Sequence, residues 1–249
     1  MYLEHLISPK LAIFAAPRCF LARLCHPDLV SFGFLANLSG LKHRGLFNGV
    51  DGIIDVGANI GQFAFMAHIV WPHIPIYSFE PDNGCFIQLE SNFKRYSIQG
   101  DCFQIALSDQ PGVKRLFIYD NRANNSFLKR YDSEKSEVNH IDVITETLDG
   151  FKEKLSITRR PLLKIDVQGF ELSVISGARD LIKRCKYVIL EVSFQQSYQG
   201  NAHVADIFLT MRDYGFSCFD ILDILRMPAA AGQGMREADL LFVNDNLKH

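Results

Sequence analysis

The sequence predicts an α/β protein built on a seven-stranded, mostly parallel sheet with helices on both faces and an antiparallel final strand. Three observations support this prediction. From residue 51 onward, short apolar runs alternate with segments whose apolar residues recur at helical spacing. The first apolar run ends in two glycines four positions apart, which is a turn signal between a strand and a helix. The last two apolar runs have no helical segment between them, which favours a hairpin that reverses the final strand.

The composition fits a globular domain with a sizeable core and argues against several classes of partner. The chain has 249 residues, of which 48% are hydrophobic and 22% are charged, as in ordinary globular domains. A net charge of −2 gives no reason to expect binding to nucleic acid or to an anionic membrane. Six cysteines are scattered with no C-x-x-C pair, a pattern typical of reduced core thiols in a cytoplasmic protein.

Residues 1–50 are predicted to form a helical N-terminal extension to a domain that covers residues 51–249. Residues 11–24 are apolar, but Pro17, Arg18 and Arg23 interrupt them, so they contain no run long enough to span a bilayer. The extension is expected to pack on the domain or on a second copy of the chain in a homo-oligomer. Contact with a membrane surface is the alternative.

The first half of the domain is predicted as strand, helix, strand, helix and strand, at residues 52–56, about 60–70, 75–80, about 83–96 and 102–107. Each strand is a short apolar run, and each helix shows apolar residues on one face. The pattern is typical of βαβ units in a parallel sheet.

The middle of the chain is less regular. Residues 110–112 read Gln-Pro-Gly and predict a turn, beyond which residues 114–119 form a strand paired with the one before it. Residues 121–137 are polar and lack periodicity, so they are predicted to be a loop near the site. A strand at 140–145 and a short helix at 148–155 follow.

The second half resumes the alternation of strands and helices. A strand that ends in an acid is followed by a helix, a strand, a second helix and the two strands of the terminal hairpin. These elements are predicted at residues 162–166, 169–185, 187–192, 204–211, 216–220 and 239–243.

The turn after the first strand carries the ligand signal. In an open α/β sheet, ligands bind where strands end, and glycine lets the backbone approach them closely. Dinucleotides favour a G-x-G-x-x-G turn, but here Asn59 stands between Gly57 and Gly61 and would crowd a diphosphate. The arrangement Asp55-x-Gly-x-x-x-Gly instead suits a nucleoside without phosphates, such as S-adenosylmethionine, whose amine can meet Asp55.

A second acid, Glu80, ends the next apolar run, about 20 residues past the turn, where an acid commonly holds ribose hydroxyls. Asp55 could instead cap a helix, and Glu80 could be a turn residue before Pro81. Together the two acids favour a Rossmann-like, nucleoside-binding domain.

Taken in order, these motifs resemble those of the FkbM-type methyltransferases, which are class I enzymes that use S-adenosylmethionine. The resemblance covers about residues 50–245, and the block I-D-V-Q-G-F-E at 165–171 is its most specific part. The matching segments are residues 55–61, 79–81, 106–109, 147–149, 163–171, 177–178 and 191–193. The family implies methyl transfer to oxygen, often on a sugar, glycan or other secondary metabolite.

The resemblance also implies roles for individual positions. Asp55, Gly57, Asn59 and Gly61 match the loop around the methionine end of the cofactor. Glu80 matches the acid that holds the ribose, and Ser108 and Asp109 follow strand three, where such enzymes contact adenine. Asp166 ends the fourth strand beside the place where the methyl group is presented, and it is the first candidate for the general base, with Glu191 second.

Other roles for these acids are open. Lys164 and Asp166 lie two apart on one strand and point to the same face, so they could form a structural ion pair. Asp166, Glu191 and Asp239 could converge on a divalent cation, but three scattered acids are a weak metal signal and no metal is expected. Tyr198 could stack on a sugar ring or could simply pack in the core.

The prediction is therefore an S-adenosylmethionine-dependent O-methyltransferase that acts on a small-molecule or glycan acceptor. The first alternative is a non-catalytic nucleoside-binding protein with the same fold. The second alternative is an NAD-dependent oxidoreductase, which the missing glycine at position 59 disfavours.

Overall fold

The computed structural model describes residues 22–131, 139–151, 153–155, 159–228, 231–232 and 234–247. Most of the apolar segment 11–24, and residues 132–137 of the predicted loop, lie outside the described residues.

Strands and helices alternate along the described chain. Their order is α1 (Phe32–His43), β1 (Gly52–Val56), α2 (Gln62–Val70), β2 (Ile76–Phe79), α3 (Asn83–Tyr96), β3 (Gly100–Phe103), β4 (Ala106–Leu107), β5 (Gly112–Ile118), β6 (Asn139–Glu146), β7 (Pro161–Ile165), α4 (Glu171–Ser176), β8 (Tyr187–Ser193), α5 (Val204–Asp213), β9 (Phe216–Arg226) and β10 (Met235–Asn244).

The main sheet has seven strands in the order β3-β2-β1-β7-β8-β10-β9. The pairs from β3 to β8 are parallel, whereas β10 runs antiparallel to both of its neighbours. The predicted fold class is therefore confirmed. Because β10 runs between β8 and β9, it places Asp239 directly opposite Glu191.

The predicted third strand is wrong as a single element. Residues Gly100–Phe103 pair with β2 in the main sheet, but Ala106–Leu107 belong to a separate three-stranded sheet of order β4-β6-β5. The chain turns between them, where the N–H of Ile105 donates to the carbonyl of Phe103 at 3.0 Å. The partner predicted for residues 114–119 is also wrong, since β5 pairs antiparallel with β6 along its whole length.

The predicted helix at 169–185 is shorter than expected. It ends at Ser176, and a single 3-10 turn at Ile182–Arg184 follows. Gly177 caps the end of this helix, and a larger residue would not fit there, since a Cβ would lie 2.0 Å from the backbone oxygen of Ser108. The predicted short helix near 148–155 is reduced to a 3-10 turn at Asp149–Phe151.

Alternation along the central strands divides the core between the two faces of the sheet. Ile53 packs with α1, α2 and α3 on one face, whereas Ile54 packs with α4 and α5 on the other. Helix α1, in the described part of the predicted extension, buries Phe34, Leu35 and Leu38 in the first of these clusters. The start of α1 is capped by the Ser31 side chain.

The five described cysteines are free thiols. Cys85 and Cys185 are buried, as predicted, but Cys25 and Cys218 are exposed, so the prediction of a core thiol is wrong for these two. Among the described helices, none is both long enough and apolar enough to cross a bilayer.

Candidate active site

A cavity of about 670 Å³ opens at the carboxyl ends of the central strands. This is the position where open α/β sheets bind ligands, and the volume lies within the range of small-molecule sites. The loop after β1, Glu80 after β2 and Asp166 after β7 form the floor, together with acids on β8 and β10. Residues of the segment 23–34 and of the loop 122–127 complete the wall.

The loop after β1 is held close to the end of β7. Gly57 has φ +79°, and a Cβ there would lie 1.9 Å from the backbone oxygen of Asp166. Only glycine combines this dihedral angle with this approach. Asn59 has φ +50° and lines the cavity. Gly61, at φ +92°, lies at the start of α2, outside the cavity wall.

Glu80 is fixed by the backbone. Its two carboxylate oxygens accept the N–H groups of Asn59 and Asp82, each at 2.8 Å. Burial raises the pKa of Glu80 to about 7, although the two backbone hydrogen bonds oppose the rise. A carboxylate oxygen has a second lone pair, so these oxygens can still accept hydrogen bonds from a ligand in the cavity.

Asp82 joins this end of the cavity to the loop 122–125, a role that sequence reasoning missed. One oxygen caps α3 by accepting from the N–H of Cys85 at 2.9 Å. The same carboxylate pairs with the Arg122 guanidinium and accepts from Asn125 Nδ2 at 3.3 Å. The capping signal was readable, because Asp82 directly precedes the periodic apolar residues of α3, but its partners about 40 residues away were not.

Asp55 ends β1 on the face covered by α1, α2 and α3. It is buried, and Ser78 donates to its Oδ2 at 3.2 Å. Burial raises the pKa of Asp55 to about 7, and the charge of Lys164 partly offsets this effect. Asp55 and Lys164 are register partners on neighbouring strands.

Lys164 joins two of the predicted acids. Its ammonium lies 3.1 Å from Asp166 Oδ2 and 3.1 Å from Asp239 Oδ1, and its side chain is 4% exposed. Burial alone would lower the pKa of Lys164, but the carboxylates of Asp166, Asp239 and Glu191 raise it. The ion pair considered from the sequence is therefore present, and Asp166 nevertheless lines the cavity.

The acids on β7, β8 and β10 do converge, but around an ammonium group. Lys164 occupies the position that a divalent cation would need between Asp166 and Asp239. Within the part of the chain that the structure describes, no group of three His, Cys, Asp or Glu side chains has the geometry to hold a metal ion.

Asp166 and Glu191 shift each other's pKa, and Gln168 bridges them. Burial opposes ionisation of Asp166, but Lys164 and hydrogen bonds, including one from Glu191, lower its pKa. Burial and the charge of Asp166 raise the pKa of Glu191 well above its usual value. The amide of Gln168 donates to Asp166 Oδ1 at 3.1 Å and to Glu191 Oε2 at 2.5 Å. Sequence reasoning missed Gln168, because its partner Glu191 lies on another strand.

Tyr198 is a packing residue here. Its side chain is fully buried, and its hydroxyl lies 2.8 Å from Gln168 Oε1. The idea that it stacks on a sugar ring is wrong for this structure, since no face of its ring is open to a ligand.

The structure does not bring every predicted residue to the cavity. Ser108 is buried and donates to Asp109 Oδ1 at 2.7 Å, and Asp109 also pairs with Lys114 at 3.3 Å. Neither Ser108 nor Asp109 lines the cavity, where the preceding residues Ile105, Ala106 and Leu107 provide an apolar surface instead. Those predicted site residues that do line it are Asp55, Gly57, Asn59, Glu80, Asp166 and Glu191.

The far wall of the cavity combines residues that precede β1 with residues of α2 and β9. Ser31 Oγ donates to Asp223 Oδ2 at 2.5 Å, and Asn37 Nδ2 donates to the carbonyl of Leu222 at 2.8 Å. These bonds tie the N-terminal cap and the middle of α1 to β9. Phe34 and Phe63 meet edge to face beneath them, with ring centroids 5.9 Å apart.

Comparisons with known proteins place the chain in a family. Residues 55–218 match the methyltransferase FkbM domain family. The 31-O-demethyl-FK506 methyltransferase FkbM of Streptomyces tacrolimicus is 27% identical over 204 residues, which are 71% of this chain and 76% of that protein. The 2-O-methyltransferase NoeI of Sinorhizobium fredii is 25% identical over 210 residues, which are 78% of this chain and 80% of that protein.

Among solved structures, a methyltransferase FkbM from Methylobacillus flagellatus KT aligns with a TM-score of 0.48 and 14% identity. The alignment covers 92% of this chain and 60% of that one. TrmK of M. capricolum, solved in complex with S-adenosyl-homocysteine, aligns with a TM-score of 0.48 and 8% identity over 88% of this chain and 70% of that one.

Proposed function

The chain belongs to the methyltransferase FkbM domain family and is a methyltransferase, and we propose that it moves a methyl group from S-adenosylmethionine to a hydroxyl oxygen of a neutral, sugar-like acceptor. The observation that carries the proposal is one cavity with two differently built ends. At one end, two backbone N–H groups hold the Glu80 carboxylate beside the loop that contains Gly57 and Gly61, which we call the glycine loop. The other presents Asp166 and Glu191 beside a buried lysine.

The first end suits a nucleoside without phosphates. Glu80 can accept the ribose hydroxyls, and the surface of Ile105, Ala106 and Leu107 can pack on an adenine ring. Seven carboxyl groups line the cavity against three basic side chains, so an anionic diphosphate would be repelled. The positive sulfonium and amine of S-adenosylmethionine would be favoured near Asp55.

The second end suits proton removal. S-adenosylmethionine supplies an electrophilic methyl group, and the acceptor hydroxyl must lose its proton as the new bond forms. Lys164 keeps Asp166 ionised, so its carboxylate can accept that proton. Glu191 favours its protonated form and can orient the acceptor by a hydrogen bond. The remaining task is alignment, which supplies much of the acceleration in such a displacement.

The acceptor class follows from the far wall and from the relatives. Ser31 and Asp223 offer polar groups, and Phe34 and Phe63 offer apolar surface. The excess of carboxyl groups favours a neutral acceptor over a phosphorylated or acidic one. The names of two relatives, a 2-O-methyltransferase and a 31-O-demethyl-FK506 methyltransferase, support transfer to oxygen.

Calorimetry with S-adenosylhomocysteine and with NAD tests the cofactor. We expect saturable binding of S-adenosylhomocysteine and, at one hundred times its dissociation constant, about 2.7 kcal/mol of added stability. NAD should produce neither effect. Tight NAD binding without S-adenosylhomocysteine binding would reject the proposal.

The role of Asp166 is tested by Asp166→Asn, which keeps the size of the side chain and removes its basicity. The assay follows S-adenosylhomocysteine release with a panel of neutral, amino and phosphorylated sugars. With an accepted sugar, we expect the rate to fall by roughly 10² to 10⁴ while S-adenosylhomocysteine affinity stays near its original value. Asp109→Asn is the matched control, because Asp109 lies outside the cavity wall. Loss of cofactor affinity in step with the rate would assign Asp166 to cofactor binding.

A further inference from the structure

Gln168 occupies a position where both its backbone and its side chain are fixed. Its φ of +53° lies in the left-handed region, which is uncommon for a residue other than glycine. Its carbonyl oxygen accepts from Ser126 Oγ at 2.8 Å. The next residue, Gly169, has φ +95°, and a Cβ there would lie 2.8 Å from the Cβ of Asn201. The turn therefore has little freedom to move away from the acids.

The direction of the Gln168 amide is set by its neighbours. The buried Tyr198 hydroxyl lies 2.8 Å from Gln168 Oε1 and 3.0 Å from the carbonyl of Asn124. On the opposite side, Nε2 faces Asp166 Oδ1 and Glu191 Oε2. Carboxylate oxygens accept hydrogen bonds, so the NH₂ group must point to them and the amide oxygen to Tyr198.

We propose that Gln168 is a positioning residue that holds the carboxyl groups of Asp166 and Glu191 together, so that they act as one proton-accepting unit whose orientation is set by Tyr198. The proposal deepens the proposed function, on which it rests for the identity of the reaction. Gln168 keeps the two acids at a fixed separation, and its two N–H groups stabilise the negative charge that remains when the pair loses its proton.

Several other groups face this pair and act on its charge. Lys164 is the cation nearest to it and stabilises the ionised form. Asp55, Glu171, Glu237 and Asp239 surround it with further carboxyl groups, while Arg130 lies 5.7 Å from the centre of the Tyr198 ring. All these groups remain when Gln168 is changed. A change in the titration midpoint of Asp166 and Glu191 therefore measures the effect of the Gln168 amide.

The test is a carboxyl ¹³C NMR titration of the full chain without ligand, labelled at aspartate and glutamate side chains. Glu191→Gln assigns the Glu191 resonance. In Gln168→Leu, the titration midpoint of the pair should rise by at least about one pH unit, because two hydrogen bonds to the charged form are lost. Tyr198→Phe, which leaves the turn intact, should raise the midpoint by a smaller amount. Gln196→Leu, an exposed glutamine in the same loop as Tyr198, should leave it unchanged.

A role in stability alone would lower the melting temperature of Gln168→Leu and leave the midpoint where it was, and this result would overturn the proposal. If Gln168→Leu does not fold, Tyr198→Phe decides, and an unshifted midpoint overturns the proposal again. Binding of S-adenosylhomocysteine by the unaltered chain is measured separately. Its absence would reject the proposed function without changing the titration result, so the two failures are distinguishable.

Discussion

The two ends of the cavity hold their carboxyl groups in different ways. At the end proposed to bind the nucleoside (the nucleoside end), both oxygens of Glu80 accept backbone N–H groups. At the end proposed to remove the proton (the catalytic end), the carboxyl groups of Asp166 and Glu191 are held by the side chains of Lys164 and Gln168. One end therefore depends on the path of the chain, whereas the other depends on particular side chains.

Under the proposed function, this difference assigns cofactor binding to one end and proton removal to the other. Backbone N–H groups are present whatever the side chains, provided that the backbone conformation is kept. The hydrogen bonds to Glu80 can therefore be retained while the side chains around it are substituted. Side-chain partners can be exchanged one at a time, so the catalytic end is where proton affinity can be adjusted. The predictions below test this contrast, from the largest expected effect to the smallest.

Gly57→Ala should have the largest effect, because Gly57 is where the two ends meet. The new Cβ would lie 1.9 Å from the backbone oxygen of Asp166, and no side-chain rotation can relieve a contact with the backbone. We expect a loss of more than about 5 kcal/mol in the free energy of unfolding, comparable to the whole stability of many domains. Urea denaturation followed by circular dichroism measures it.

Gly200→Ala is the control for the dihedral angle alone. Gly200 has φ +81°, but a Cβ added there would meet no atom within 4 Å, so only the cost of a left-handed alanine, about 1–2 kcal/mol, applies. Equal losses in the two variants would show that the contact between the glycine loop and β7 is unimportant.

Lys164→Met should come next, at the catalytic end. It leaves the carboxylates of Asp166 and Asp239 without their cation in a buried position. Breaking a buried ion pair by removing one partner costs about 3–5 kcal/mol. The matched change Lys114→Met removes a lysine that pairs with Asp109 near the surface and should cost less than about 1 kcal/mol. A small loss of stability in Lys164→Met would mean that Asp166 and Asp239 become neutral by taking up protons.

The same contrast explains what could be read from the sequence. At the proposed nucleoside end, the glycine loop and Glu80 were predictable, because the loop occupies consecutive positions and Glu80 ends the next apolar run. Ser108 and Asp109, expected beside the adenine, lie outside the cavity wall. The number of strands in the main sheet and the antiparallel final strand also followed from alternating strands and helices with a final hairpin. In both cases the sequence pattern involves residues close together in the chain, and the general rules for connecting consecutive strands and helices give their arrangement in space.

The catalytic end was only partly predictable. Asp166 and Glu191 could be named because each stands near the end of a strand, but the contacts of Gln168 depend on a turn with positive φ and on a partner 23 residues away. The wall formed by Ser31 and Asp223 joins residues 192 apart. Strand three was misread because an apolar run of six residues does not show that the chain turns between two sheets.

Glu80→Gln tests the backbone-held end directly. The amide has the same shape, but its NH₂ group cannot accept from a backbone N–H or a ribose hydroxyl. We expect the dissociation constant of S-adenosylhomocysteine to rise by roughly ten- to a hundredfold, since a charged hydrogen bond contributes about 1.5–3 kcal/mol. Asp101→Asn, at an exposed position on β3, should leave affinity unchanged. An unchanged affinity of Glu80→Gln for S-adenosylhomocysteine would show that Glu80 serves only as a turn residue.

The smallest effect is a dependence of stability on pH, to which acids at both ends contribute. Burial raises the pKa of Asp55, Glu80 and Glu171 to about 7 in the folded chain. A carboxyl whose folded pKa is raised contributes stability that is present below its unfolded pKa, near 4, and is lost as the pH rises through about 7. Asp166 has the opposite sign, since its pKa is lowered, so its contribution is lost only as the pH falls below about 4.

Between about pH 5 and pH 7, therefore, the raised carboxyls lower the free energy of unfolding as the pH rises. His68, whose pKa burial lowers, acts in the opposite direction, but the three carboxyls outweigh it. We expect each carboxyl to lower the free energy of unfolding by up to about 1.4 kcal/mol per pH unit, measured by urea denaturation of the ligand-free chain at intervals of one pH unit. Glu171→Gln should flatten the profile. The Glu171 carboxylate accepts hydrogen bonds from the N–H groups of Val167 and Gly169, in the turn that carries Gln168. A flatter profile in this variant would therefore measure the contribution of Glu171, a buried acid at the catalytic end that is held by backbone N–H groups. A flat profile in this range would show that these carboxyls are already ionised in the folded protein, because their folded and unfolded pKa values would then both lie below about pH 5.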